Sequence, residues 1–82
     1  MINVRFFGLT RLKIKESSIQ IEGNNLEELL KNISKQYNQL SIKELKQAVI
    51  FVNGTNIVHL KLFKTKLYVG DEVQILSPAG GG

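Results

Sequence analysis

The chain ends in Pro78-Ala79-Gly80-Gly81-Gly82, which sets the terminal carboxylate of Gly82 at the tip of a run that has no side chains. Three successive glycines are costly to order and cannot hold a packed core, so the tail is expected to be thin and mobile. A thin tail can pass where a side chain would clash and deliver its carboxylate into the narrow active site of another protein. There a carboxylate, itself a poor electrophile, can be activated as a mixed anhydride with AMP and then attacked by a nucleophile. The plainer reading is a frayed terminus, so the body of the chain must decide between the two.

The body offers little other chemistry. With no cysteine there is no thiolate nucleophile, disulfide or thiolate metal site. A single histidine, His59, is too little for the usual zinc or general acid–base clusters, and it is expected to be a partly exposed strand residue. No metal site is expected. The net charge of +4 raises nucleic acid as a partner, but the lysines are scattered along the sequence. Lys13 and Lys15, and Lys64 and Lys66, alternate as if to share one side of a strand or ribbon. Solvated surface accounts for them better than a nucleic-acid site.

At 82 residues and 43% hydrophobic, the sequence describes one small globular domain. No apolar run approaches the roughly 20 residues that span a bilayer, and the start lacks the charged-then-apolar pattern of a secretory leader. The protein is therefore expected to be soluble and cytoplasmic, with no membrane partner.

The elements that must carry the tail follow from periodicity. Ile2, Val4 and Phe6 alternate with Asn3, Arg5 and Phe7, which predicts a first strand with its even positions inward and Phe7 as an odd apolar ring among polar positions. Gly8 lets the chain turn. Leu12 and Ile14 read as loop or strand extension, and Ser17 to Glu22 as a second strand antiparallel to the first. Asn25 is a good helix cap with Glu28 three residues on, and Leu26, Leu29, Leu30, Ile33 and Tyr37 fall on one face of a helix of about 12–13 residues. Glu27 and Lys31 form a favourable pair on its outside. Asn38 to Gln47 should be a packed loop with a short helical turn, anchored by Leu40, Ile42 and Leu45.

Ala48 to Val52 is a continuous apolar run that reads as a central strand buried on both faces or nearly so, closed by the tight-turn pair Asn53-Gly54. Ile57 to Leu67 suggests a short edge strand and a loop, with lysines guarding the edge. Val69-Gly70-Asp71-Glu72 turns into a last strand, Val73 to Leu76, and Pro78 stops it for want of a donor.

This order resembles a β-grasp (ubiquitin-like) fold, an α+β architecture with a mixed sheet of about four to five strands covered by one main helix. The first and last strands would be neighbours at the centre. Composition alone does not choose it over other small α+β topologies. The domain is expected to span residues 1–78 and the flexible glycine tail 79–82.

Motifs narrow the reading. Phe6-Phe7-Gly8-Leu9-Thr10-Arg11, Val52-Asn53-Gly54, Leu67 followed by Gly70-Asp71-Glu72-Val73, and Pro78-Ala79-Gly80-Gly81-Gly82 together resemble the ubiquitin-like sulfur carriers of the MoaD/ThiS group, most of all the small subunit of molybdopterin synthase. The likeness runs the length of the chain. Ser77-Pro78 stands where the family often has two prolines, Gly80 is an extra glycine before the matching pair Gly81-Gly82, and Asn56 to Lys66 is longer than usual.

The resemblance implies a carrier, not an enzyme in its own right. A ubiquitin-activating-type enzyme would adenylate the Gly82 carboxylate with ATP, and a sulfur donor system would displace AMP to leave a thiocarboxylate. Pro78, Ala79, Gly80 and Gly81 would thread into the large subunit of molybdopterin synthase, where sulfur passes to a pterin precursor in molybdenum or tungsten cofactor synthesis. No cofactor would be bound by the carrier itself. Phe7, Arg11 and Leu76 are the expected partner-binding residues, against the alternative that Phe7 and Leu76 complete a minor core. Other outlets are thiamine synthesis, tRNA thiolation or conjugation as a ubiquitin-like modifier. From a different class, the chain could be a β-grasp interaction or RNA-binding module with an incidental tail.

Overall fold

Ile2–Gly8 forms β1, with Ile2, Val4 and Phe6 buried and Asn3, Arg5 and Phe7 turned away from the core, as the alternation requires. The computed structural model describes residues 1–77. The expected domain boundary and glycine tail lie outside the described residues.

The chain continues as α1 (Leu9–Ile14), β2 (Ser18–Ile21), α2 (Leu26–Gln36), α3 (Ile42–Lys46), β3 (Val49–Val52), β4 (Thr55–Asn56), two 3-10 turns at Ile57–His59 and Leu62–Lys64, and β5 (Glu72–Ser77). The five strands make one mixed sheet in the order β2-β1-β5-β3-β4. β1 pairs antiparallel with β2 and parallel with β5, so the first and last strands are central neighbours. This is the expected β-grasp.

Register explains why one face of the sheet holds the core. Val4 lies opposite Ile19 and Val73, Phe6 opposite Ile75, and Ile50 and Val52 opposite Ile75 and Val73. All of these side chains are buried, and Leu26, Leu29, Leu30 and Ile33 of α2 complete the layer from the other side.

The helix begins where the sequence indicates. Asn25 Oδ1 accepts the Glu28 N–H at 2.8 Å. Glu28 Oε1 in turn accepts the Asn24 N–H at 3.0 Å, one residue earlier than in a standard capping box. α2 is 11 residues long and closes at Tyr37, slightly short of expectation. Glu27 and Lys31 do approach, at 3.9 Å, but Glu27 makes its closer bond to Lys46 of α3 at 2.7 Å. That hydrogen bond to Lys46 holds the Glu27 carboxyl below the usual range. The loop after α2 contains its expected helical turn: Ser41 Oγ accepts the Glu44 N–H, and Leu40 and Leu45 are buried.

Three expectations give way. Leu9–Ile14 is a helix, α1, and not loop or strand extension; Thr10 and Ile14 are buried one turn apart while Leu12 is exposed. β3 is covered on one face only, since Val49 is exposed and Phe51 half-buried. The edge strand comes earlier than Ile57–Leu67, at Thr55–Asn56, and the longer stretch coils into the two 3-10 turns, so His59 is an exposed turn residue. The lysine alternations accordingly share no strand. Lys13 lies in α1 paired with Glu44, Lys15 caps that helix with φ +59°, Lys64 ends a 3-10 turn, and Lys66 sits in the isolated bridge to Asn25.

The Asn53-Gly54 turn behaves as its residues dictate. Both have positive φ, +50° and +84°, which suits a two-residue hairpin. Asn53 also donates through Nδ2 to Asp71 Oδ1 at 3.1 Å and accepts the Glu72 N–H at 2.9 Å, while Asp71 Oδ2 accepts the Tyr68 N–H at 2.8 Å. The middle and late motifs of the sequence thus clasp each other at the end of the sheet where β5 begins. Their role is structural.

Candidate functional site

At the other end of the sheet, β1 and β5 finish together. Gly8 pairs with Ser77, the last described residue. Gly8 has φ +67° and ψ −140°, a backbone setting close to one that only glycine occupies, and a Cβ there would lie 2.1 Å from the Ser77 carbonyl oxygen. The glycine therefore lets β5 run tightly along the corner where β1 turns into α1. Thr10, fully buried, locks that corner: its Oγ1 donates to the Phe7 carbonyl at 2.8 Å and lies 3.4 Å from the Ile75 carbonyl. A buried hydroxyl needs such partners, and here they tie α1 to both central strands.

The same register lays out a surface. Phe7 partners Leu76, and Leu76 partners Val49, so three apolar side chains from β1, β5 and β3 form a row across the uncovered face of the sheet. They are 40%, 39% and 37% exposed respectively, and the remainder of that face carries half-buried Phe51 together with Asn3, Arg5, Ser18, Gln20, Asn56, Glu72 and Gln74. Apolar side chains left this open are not completing a minor core. The row also sits directly beside Ser77, where the chain proceeds to residue 78.

The expected partner-binding residues thus divide. Phe7 and Leu76 are brought together as neighbours. Arg11 is half-buried in α1, at the same end of the sheet, with no carboxylate within salt-bridge distance among the described residues. Pro78, Ala79, Gly80, Gly81 and Gly82 lie outside the described residues. Val49 was missed from sequence because it sits inside an uninterrupted apolar run, where alternation is invisible. Gly8 and Thr10 were visible only as letters of a motif; the Gly-x-Thr spacing after an alternating strand was the available signal for a locked corner. Among the described residues no group of three or more His, Cys, Asp or Glu side chains could hold a metal, and no helix is long and apolar enough to cross a membrane.

The family model described as the ThiS family matches residues 4–82. The chain belongs to the ThiS family. Among solved structures, this ThiS-family chain is similar to one in the complex of subunits 1 and 2 of molybdopterin-converting factor from Helicobacter pylori 26695, with 32% identity, a TM-score of 0.66, and 99% of this chain and 97% of that one covered. It is also similar to the small archaeal modifier protein 1 of Methanosarcina acetivorans, at 24% identity and TM-score 0.86, with 99% and 95% covered. A chain of the BexX/CysO complex of Amycolatopsis orientalis matches at 17% identity and TM-score 0.83 over 100% of both. The latter two share the fold. No curated protein matches the chain. The ThiS-family chain thus has the fold of the ubiquitin-like sulfur carriers, small proteins that serve as non-catalytic partners of enzymes.

Proposed function

We propose that this protein is a sulfur carrier of the molybdopterin synthase small-subunit type. The observation that carries the reading is the 32% identity, across nearly the whole of both chains, to a chain from a molybdopterin-converting factor complex. The apolar row of Phe7, Leu76 and Val49 supports it, because it gives a large subunit something to grip beside the start of the tail. Arg11 adds a charge at the same end.

In this reading the Gly82 carboxylate attacks the α-phosphorus of ATP on a ubiquitin-activating-type enzyme and pyrophosphate leaves. A persulfide of the sulfur donor then adds to the acyl carbon and AMP departs, and a thiol attacks the resulting acyl disulfide, which leaves the thiocarboxylate and a disulfide on the donor system. Pro78, Ala79, Gly80 and Gly81 thread the large subunit, and the terminal sulfur is delivered to a pterin precursor in two rounds. The catalytic side chains are the partners'. ATP is used by the activating enzyme and the carrier holds no cofactor. The proposed site of action is the cytoplasm.

Intact-protein mass spectrometry tests this directly. After incubation with ATP, an activating enzyme and a sulfur donor, the wild type should exchange one terminal oxygen for sulfur and a variant lacking Gly81 and Gly82 should not. The thiocarboxylated protein, mixed with a large subunit and the pterin precursor, should then yield the dithiolene product. Transfer to a thiazole precursor or a tRNA with none to the pterin would move the carrier to another pathway.

A further inference from the structure

A second surface lies one strand length from Ser77. β5 runs six residues from Glu72 to Ser77, about 17 Å at the usual rise, and the segment that leads into it docks against the start of α2. Leu26 N–H donates to Thr65 and Leu67 N–H to Asn24, both at 3.0 Å. Between the segment and the helix runs an open groove of about 1080 Å³.

Its chemistry is mixed. Leu62, Phe63, Leu67 and Tyr68 line it with apolar surface, and Lys61, Lys64 and Lys66 stand along it, all three exposed. Among the described residues no carboxylate comes within 4.0 Å of these three ammonium groups, whereas Lys13, Lys31 and Lys46 are each paired. The one carboxylate in the groove wall, Glu27, is already bonded to Lys46.

Leu62 is the unusual member. Its φ is +51°, a left-handed setting that L-residues other than Asn and Asp rarely adopt. Buried Thr65 enforces it: the Thr65 hydroxyl donates to the Leu62 carbonyl at 2.6 Å and accepts the Lys61 N–H at 3.1 Å. The result is a leucine 50% exposed, held beside Tyr68, which is 66% exposed. The core gains nothing from either side chain.

We propose that this groove docks a segment of a partner protein that carries aspartates or glutamates around an apolar anchor. Charge complementarity selects the acidic residues, and Leu62, Phe63 and Tyr68 receive the anchor. A single-stranded nucleic acid fits less well. Lys46 already lies 5.1 Å from the Phe63 ring centroid, so Tyr68 is the one open aromatic face among the described residues of the groove, and a phosphodiester chain leaves Leu62 and Leu67 unused. The groove and the row of Phe7, Leu76 and Val49 are at opposite ends of β5, so one extended partner, or two partners, can hold both at once. The proposal does not depend on the sulfur acceptor.

The test is a titration of the full-length isotope-labelled protein, followed by NMR, with a synthetic peptide in which aspartates and glutamates flank a Leu-Phe pair. Amide shifts should concentrate at residues 61–68 and leave Phe7, Val49 and Leu76 unperturbed. Lys61→Glu with Lys64→Glu should weaken binding about tenfold or more and keep the wild-type spectrum elsewhere. Leu62→Ser should weaken it about tenfold with the lysines intact. The proposal is overturned if the shifts fall on the open sheet face, if the folded protein does not bind the peptide, if the charge-reversed protein binds as well as the wild type, or if oligouridylate displaces the peptide at lower concentration.

Discussion

Phe7 on β1 and Leu76 on β5 are register partners across a parallel pairing, although they stand near opposite ends of the chain. The buried core and the exposed row lie on opposite faces of the same two strands. Phe6 and Ile75, one residue earlier in each strand, are paired in the core.

Phe7→Ala should therefore separate binding from folding. With 40% of the residue already exposed, the substitution should cost about 1 kcal/mol of stability or less and keep a cooperative denaturant transition. Affinity for a large subunit should fall about tenfold or more, and Leu76→Ala should act in the same direction. Calorimetric titration beside urea denaturation reads both; loss of folding with unchanged affinity would return Phe7 to the core.

Gly8→Ala should behave in the opposite way. The new Cβ meets the Ser77 carbonyl at 2.1 Å in a backbone setting with φ +67°, so about 3 kcal/mol of destabilisation is expected, with β5 displaced at the residue that leads into the tail. Urea denaturation measures the first effect. Adenylation rate in a condition where the variant is still folded measures the second, and it should fall.

Asn53→Ala removes the side chain that joins the hairpin to the start of β5 through Asp71 and the Glu72 N–H. Asn53 is also one of two adjacent positive-φ residues, where asparagine is better tolerated than alanine. A loss of about 1–2 kcal/mol is expected by thermal or urea unfolding. Asn53→Gly should recover the backbone part of that loss and not the hydrogen bonds.

The Glu27 carboxyl is held low chiefly by its hydrogen bond from Lys46, against a smaller opposing effect of desolvation. A folded-state value below the unfolded one means stability that is present above the unfolded value and is lost as pH falls through the folded value. Lys46→Met, which keeps an apolar stem over Phe63, should move the Glu27 titration up toward the ordinary glutamate range and remove that increment of acid sensitivity. Carboxyl-carbon NMR across the acidic range checks the shift; an unmoved titration would mean that Lys31 or solvent sets it.

Much of this was readable from the residues because local and global requirements agree. The even positions of β1, the stripe of α2, the Asn25 cap and the Asn53-Gly54 turn each follow from a period or a turn chemistry that the tertiary structure also needs. α1 was hidden because its buried positions are Thr10 and Ile14, while the obvious apolar residue, Leu12, faces solvent. A buried threonine shows no hydrophobic period. β3 was over-buried in expectation because an unbroken apolar run reads the same whether both faces are covered or one face is left open. The exposed apolar row was half legible for the same reason: Phe7 stood out among polar neighbours, and Val49 did not.

The strand order also constrains how the protein is made. β5 lies between β1 and β3, so until residues 72–77 are available the sheet exists as two separate hairpin-like pieces, β2 with β1 and β3 with β4. Small two-stranded pieces are marginal alone, and contacts between distant chain segments slow the final closure. A polypeptide halted before Glu72 has neither a tail nor the strand that presents it, and it lacks the central seam as well. A chain cut short there cannot complete the five-stranded sheet.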